Sequence, residues 1–174
     1  MSQAEFAVLD FIQAHLRCSI LDSLMVSVSR LGDAGLIWIV IALGLSLFRR
    51  TRGTGLSMLL ALALEVLLCN GLLKPLTARL RPCDASGAVE LLILRPQDFS
   101  FPSGHTAAAF AALGALRFAR AGWRLSAGLF AGLMAFSRLY LYVHYPTDVL
   151  AGAALGLCAG WAAAGVLSGA KKKL

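Results

Sequence analysis

"TGLSMLLALALEVLLCNGLL", residues 54 to 73, is a run in which Glu65 is the only charged residue. About 20 helical residues cross the roughly 30 Å hydrocarbon core of a bilayer, so the stretch reads as a transmembrane helix. Comparable runs lie on either side: Ala34–Phe48, Phe101–Leu116 with His105 near its start, Leu125–Phe136 and Val149–Ala170. The chain of 174 residues is 59% hydrophobic and only 14% charged, against roughly 25% charged residues in soluble domains. Lipid offers no water to an open sheet edge, and the runs are too long and unalternating for barrel strands. The expected fold is all-α: a polytopic membrane helical bundle of five strong transmembrane helices, the shorter runs borrowing interfacial residues at their ends.

The region 1–31 differs from the core at 32–174. Phe6, Leu9, Ile12 and Leu16 recur at helical spacing beside Glu5, Gln13 and Arg17, and Ile20, Leu21, Leu24, Met25 and Val28 beside Ser23, Ser27 and Arg30. Two amphipathic interfacial helices fit this pattern; a weak sixth span packed inside the bundle is the alternative. A signal peptide is not expected, because no basic residue precedes Arg17 and no small-residue cleavage site follows an apolar core.

The net charge is +7 and the pI about 9.8, values that in a soluble protein suggest nucleic acid. Here the basic residues mark a membrane face instead, and no nucleic-acid partner is expected. Arg49, Arg50 and Arg52 follow the first strong span, Arg117, Arg120 and Arg124 the third, and Lys171–Lys173 the fifth. These are alternate ends, and the positive-inside rule places them in the cytoplasm. The segment Lys74–Ser100 and the surroundings of His144 then share the outer face. Cys18, Cys69, Cys83 and Cys158 lack metal-type spacing and read as small buried hydrophobes.

Three polar clusters fall on that outer face. In "KPLTARLRP", residues 74–82, Lys74 and Arg81 are two helical turns apart and share a face if the helix continues. Pro75 should kink it and Pro82 end it. The plain alternative is snorkelling of long cations at the interface. In "FPSGHTAAAF", residues 101–110, Ser103 can cap a helix and Gly104 allows close backbone approach. A helix start favours an anion, and His105 beside it is a candidate proton donor. In "SRLYLYVHYPTDVLAG", residues 137–152, Arg138 suits a bidentate phosphate clamp. Asp148, four residues after His144, can hold one ring nitrogen as donor and leave the other to attack; a surface His–Asp pair is the alternative. Together these are cations and imidazoles without a carboxylate cluster, which is equipment for metal-free phosphoryl transfer.

Lys74, six residues, Arg81-Pro82; Pro102-Ser103-Gly104-His105; Ser137-Arg138, five residues, His144, three residues, Asp148: this order and spacing resemble the three-part signature of the type 2 phosphatidic acid phosphatase superfamily, the membrane relatives of vanadium haloperoxidases. No named position departs from it between Lys74 and Asp148. The resemblance implies that His144 is the nucleophile and forms a phosphohistidine, that Asp148 orients it, and that His105 protonates the leaving oxygen. Lys74, Arg81, Arg138, the Ser103 hydroxyl and the Gly104 N–H would hold the phosphoryl oxygens, with no metal ion or other cofactor. Arg79 lies outside the strict motif as a further cation near the site.

The implied substrate is a lipid phosphate or diphosphate in the cell membrane, taken at the outer or periplasmic side. Small members close to the family core point to undecaprenyl diphosphate; phosphatidate or phosphatidylglycerophosphate is the alternative. A lipid phosphotransferase would use the same phosphohistidine, and a non-enzymatic transporter or scaffold is the rival of another class. The oligomeric state is left open. Elsewhere, Glu65 should face the bundle interior and Asn70, one turn before Lys74, could orient it. Gly152, Gly156 and Gly160, like Gly128 and Gly132, should mark close helix packing. Trp38, Trp123 and Trp161 read as interfacial anchors or packing residues.

Overall fold

The apolar runs form helices, as expected, in a computed structural model that describes residues 3–87 and 89–171, without the side chains of 169–171. In chain order the helices are α1 (Gln3–His15), α2 (Ser19–Leu31), α3 (Leu36–Leu47), α4 (Arg52–Val66), α5 (Lys74–Thr77), α6 (Pro82–Ser86), α7 (Gly104–Ala115), α8 (Ala121–Tyr140) and α9 (Pro146–Lys171). The described residues contain no strand. Two helical stretches are long and apolar enough to cross a bilayer, Arg52–Ser86 and Pro146–Ser168. A third is added if α2 and the run Asp33–Leu47, bent by 47° at their junction, make one span. By contrast α7 has 12 residues, about 18 Å of helix, and α8 is long enough but carries Arg124 and Arg138.

The central helix is α7, with α3, α4, α8 and α9 around it. Its alanines 107, 108, 109, 111, 112 and 115 are all buried, and small side chains on every face let four neighbours approach together. The nearest is α9. A Cβ built on Gly152, Gly156 or Gly160 would lie 2.6, 2.2 or 2.5 Å from the carbonyl oxygen of Ser103, Ala107 or Ala111. This is the backbone-to-backbone packing expected of small residues at every fourth position. Gly128 and Gly132 do not repeat it: the first would meet only Leu113, at 3.9 Å, and the second nothing within 4 Å. The α7–α9 contact sets both helix starts level, and Ser103 N donates to Asp148 O at 3.1 Å.

Lys74 and Arg81 do not share a helical face. Between α4 and α5 the helix widens into π-type turns over Leu67–Leu73, which accommodates Pro75, whose ring crowds the preceding turn and which brings no N–H. α5 ends at Thr77, Ala78 turns the chain at φ 43, and Arg81 is extended at φ −74 and ψ 154. Pro82 does not end a helix but begins α6, where its missing N–H costs nothing.

The N-terminal helices pack on α8 and the turn after it. Leu9, Ile12 and Met25 join Tyr140, Leu141, Tyr142, Val143 and Tyr145 in one apolar cluster. Gln13 donates to Tyr140 O at 2.7 Å, and the Tyr140 and Tyr142 hydroxyls donate to Asp22 and Asp10, each at 2.7 Å. At the opposite end of the bundle, one cavity is lined by Arg50, Phe118 and Ser168, so the α3–α4 turn, the α7–α8 turn and the end of α9 meet there. Lys172 and Lys173, part of the third basic cluster, lie outside the described residues. Cys69 and Cys83 are buried as expected, whereas Cys18 and Cys158 are exposed. Trp38 packs edge-on against Phe130 inside the bundle; Trp123 and Trp161 lie at the surface.

Candidate active site

The site is built at the start of α9. Pro146 occupies the first helical position and Tyr145 precedes it; the side chain of Asp148 reaches back to accept from Tyr145 N at 2.9 Å, the carboxylate half of a capping box. The same oxygen, Oδ2, accepts from Ser100 Oγ at 2.5 Å. Oδ1 accepts from Arg79 Nη1 at 2.5 Å. Asp148 is fully buried, and a buried carboxylate survives only when paired and hydrogen-bonded in this way.

His144 sits in the turn between α8 and α9, 1% exposed. Its Nδ1 is 3.6 Å from Asp148 Oδ2, beyond hydrogen-bond length, and finds no hydrogen-bond partner among the described residues. Its Nε2 lies 3.0 Å from Arg81 Nη1. A guanidinium only donates, so Nε2 is the acceptor and Nδ1 carries the proton facing Asp148. Burial holds the imidazole far below its ordinary range, at about 3, with Asp148 opposing and the charges of Arg81 and Arg138 adding to the depression. The ring is therefore neutral at physiological pH with its nucleophilic lone pair covered by Arg81.

Lys74 and Arg81 converge on a residue that spacing did not single out. Asp98, in the long connection between α6 and α7, accepts from Lys74 Nζ through Oδ2 and from Arg81 Nη2 through Oδ1 at 2.6 Å. Arg81 also donates to Asp98 O at 2.9 Å and to Val143 O at 2.8 Å. The partner that orients Lys74 is thus Asp98 rather than Asn70. Partial burial would raise the Asp98 carboxyl, but the two cations prevail and hold it at about 2. A carboxylate bridging an ammonium and a guanidinium shows that the two cations are placed to hold one oxyanion between them.

The start of α7 borders this bridge. A Cβ on Gly104 would lie 3.8 Å from Lys74 Nζ and 3.6 Å from Asn70 Oδ1, so the bare glycine leaves the first-turn N–H groups open beside the ammonium. Ser103 precedes the helix, but its hydroxyl pairs with Thr106 Oγ1 at 2.9 Å and does not cap a backbone N–H. His105 Nε2 is 3.0 Å from Asp33 Oδ1. Its ring lies against Gly32, where a Cβ would come within 2.9 Å of His105 Cδ2. Arg138 is buried, donates to Ser29 Oγ, and keeps Nε without a hydrogen-bond partner among the described residues. It is within electrostatic reach of both histidines and of Arg81.

A cavity of about 600 Å³ leads from Lys74, Gly104 and His105 along Ile39, Leu62 and Ala108 into the bundle. Glu65 faces it, as expected, with Oε1 lacking a hydrogen-bond partner among the described residues. His144 does not line this cavity. The structure therefore brings every expected site residue to one end of the bundle, with Arg81 over the candidate nucleophile and Asp98 bonded to Arg81. Sequence reasoning missed Asp98, Ser100, Asp33 and Glu5. Asp98 and Ser100 had a signal, since both lie within the three residues before "FPSGH" in the segment expected on the outer face. Glu5 and Asp33 had none, being brought in by tertiary packing alone.

Fold and site together define a membrane-embedded helical bundle with two histidines and three cations gathered at one end. The PAP2 superfamily model matches residues 54–171, and the chain belongs to this family. It is 34% identical over 137 residues to an undecaprenyl-diphosphatase of Sulfolobus acidocaldarius, a match covering 78% of this chain and 66%, just under two thirds, of that protein. It is 33% identical over 151 residues to phosphatidylglycerophosphatase B of Bacillus subtilis, covering 79% of this chain and 70% of that one. The crystal structure of Aquifex aeolicus LpxE superposes with a TM-score of 0.82 at 29% identity, covering 93% of this chain and 95% of that chain.

Proposed function

We propose that the protein is an integral membrane lipid phosphatase that forms a phosphohistidine on His144, with undecaprenyl diphosphate, converted to undecaprenyl phosphate, as its favoured substrate. One observation carries the reading: Lys74 and Arg81 grip one carboxylate, the same Arg81 guanidinium covers His144 Nε2, and Arg138 Nε, also within charge reach, has no hydrogen-bond partner among the described residues. A terminal phosphoryl group replacing Asp98 would draw Arg81 off Nε2 and present phosphorus to that lone pair. The Nε2–P bond then forms as the P–O bond to the leaving lipid phosphate breaks, and His105, held by Asp33, gives that oxygen its proton. Asp148 faces the imidazolium created on His144. Water, deprotonated by His105, releases inorganic phosphate and restores the ring.

Three cations supply the charge neutralisation, so the proposed reaction needs no metal. The long cavity would take the lipid chain, and the name of the Sulfolobus relative supports a diphosphate. Phosphatidylglycerophosphate is the second reading, favoured by Glu65 Oε1, an unused acceptor in the cavity wall that suits a glycerol hydroxyl. In the bilayer, α3, α4, α7, α8 and α9 would form five spans, the short α7 lying inside the others. The basic end would be cytoplasmic and the site outer. Phosphate release from polyprenyl diphosphate, phosphatidate and phosphatidylglycerophosphate, measured in one detergent with excess chelator, tests the reading. Fastest turnover of the diphosphate with chelator present is expected; no phosphate from any of them, or activity restored only by a divalent ion, rejects it.

A further inference from the structure

Two charged residues outside the expected set lie behind Asp148, Arg79 bonded to it and Glu5 bonded to Arg79. Arg79 donates through Nη1 to Asp148 Oδ1 at 2.5 Å and to Thr147 Oγ1 at 2.7 Å. Through Nη2 it donates to Glu5 Oε2 at 2.7 Å. Thr147 in turn donates to Glu5 Oε1 at 2.5 Å, closing a ring of three side chains to which Asp148 is attached through Arg79. The guanidinium lies over the Tyr145 ring, 4.1 Å from its centroid, and Phe6 of α1 meets the same ring edge-on at 5.5 Å. Glu5 is nearly buried, although it belongs to α1, far ahead of residues 54–171 that the family model matches.

We propose that Glu5 and Arg79 are positioning residues for Asp148, so that the N-terminal helix forms part of the catalytic apparatus. This rests on the phosphohistidine reading above. Arg79 fixes the direction of the Asp148 carboxylate with a donor that cannot rotate away, because both of its terminal nitrogens are bonded and its face is stacked. A guanidinium bonded to Asp148 alone would cancel the charge that Asp148 must present to His144. Glu5 prevents this. Glu5, Arg79 and Asp148 sum to one negative charge, which remains available when His144 becomes a positively charged phosphohistidine. Ser100 and Tyr145 N hold Oδ2 without charge, so the balance is set by this trio.

The test uses the full-length protein in detergent with the substrate that the wild type turns over fastest. Glu5→Gln keeps the hydrogen-bonding shape and removes the charge; it should lower kcat about tenfold with KM unchanged, because outer partners of a catalytic group typically contribute about 10–100-fold. Arg79→Ala should lower kcat further, Arg79→Lys should restore part of it, and added guanidinium should partly rescue Arg79→Ala. In the double variant Glu5→Gln/Arg79→Ala the losses should not multiply, since the two act as one unit. The formation of acid-labile phosphoenzyme in a single turnover should slow in step with kcat. The proposal is overturned if Glu5→Gln stays within about twofold of wild type, or changes KM alone. It is equally overturned if a folded Arg79→Ala is not rescued by guanidinium and its loss multiplies in full with that of Glu5→Gln. Should Arg79→Ala fail to fold, Glu5→Gln and Arg79→Lys decide the matter. A wild type whose activity survives His144→Ala would instead refute the phosphohistidine reading itself.

Discussion

At the scale of single residues, the two histidines differ in what holds them. His144 is enclosed, neutral and covered by Arg81; His105 is partly open and tied to Asp33. His144→Ala should abolish both turnover and the phosphoenzyme, whatever the leaving group. His105→Ala should cost about 10²–10⁴-fold with a lipid leaving group and much less with an activated one; Asp33→Asn should show the same dependence in weaker form. Leaving-group series on the three variants check this, and an activated substrate that rescues His144→Ala would exchange the two roles. The pH dependence has a definite sign: a base held at about 3 is already unprotonated in mild acid. Phosphoenzyme formation from an activated substrate should therefore stay level between about pH 7 and about pH 5, where an ordinary histidine would lose its lone pair. Asp98 is the competing anion. Its carboxylate, held at about 2, stays ionised throughout that range, so Asp98→Asn should tighten inhibition by vanadate, by about tenfold if one charge-assisted bond is at stake. Unchanged or weaker inhibition would mean that Asp98 does not share the phosphate position.

At the scale of elements, the contact between α7 and α9 carries the site, because it levels the two helix starts from which Ser103 and Asp148 arise. Gly156→Ala would place a Cβ 2.2 Å from Ala107 O and should cost about 1–3 kcal/mol through forced separation, lowering the midpoint of thermal unfolding in detergent. Gly132→Ala, with nothing within 4 Å, should leave the midpoint level or raise it slightly, since alanine is the better helix former by up to about 1 kcal/mol. The glycine repeat on α9 was legible from its spacing, whereas that on α8 was misread, because a repeat of small residues does not say whether a neighbour lies against it. The helical runs and the three clusters were equally legible: hydropathy marks apolar helices directly, though only two or three of them are long and apolar enough to cross a bilayer, and the clusters are charges in apolar surroundings. The path from Lys74 to Arg81 was not. Helical spacing over seven residues predicted one face, but Pro75, Pro82 and the left-handed Ala78 reshape the chain there. Asp98 was hidden for a related reason, because a loop residue has no periodicity to place it.

For the whole molecule, orientation is the property to test. The cavity lined by Arg50, Phe118 and Ser168 gathers the turns that follow α3 and α7 with the end of α9, and the site lies at the other end. Cys83, suggested by its position as a reporter for the outer side, is buried and should resist labelling. Ala85 is exposed in the same short helix, and Ala85→Cys should react with an impermeant thiol reagent on intact cells, while a cysteine added after Lys173 should react only after lysis. The reverse pattern would place the chemistry in the cytoplasm.

Thr147 and Glu5 are hydrogen-bonded across 142 residues of chain, and Ser29 and Arg138 across 109. Sequence separations of that size have a consequence for biosynthesis. A nascent polypeptide whose first helices have already reached the bilayer carries Glu5, Lys74 and Arg81 but not yet His144 and Asp148, and Glu5 and Arg81 lack Thr147 and His144 as partners until α9 leaves the ribosome and inserts. On the phosphohistidine reading, maturation would be all-or-none with respect to chemistry: a chain without α9 in place would be inert toward the lipids around it, and the reaction centre would come into being only once α9 has inserted.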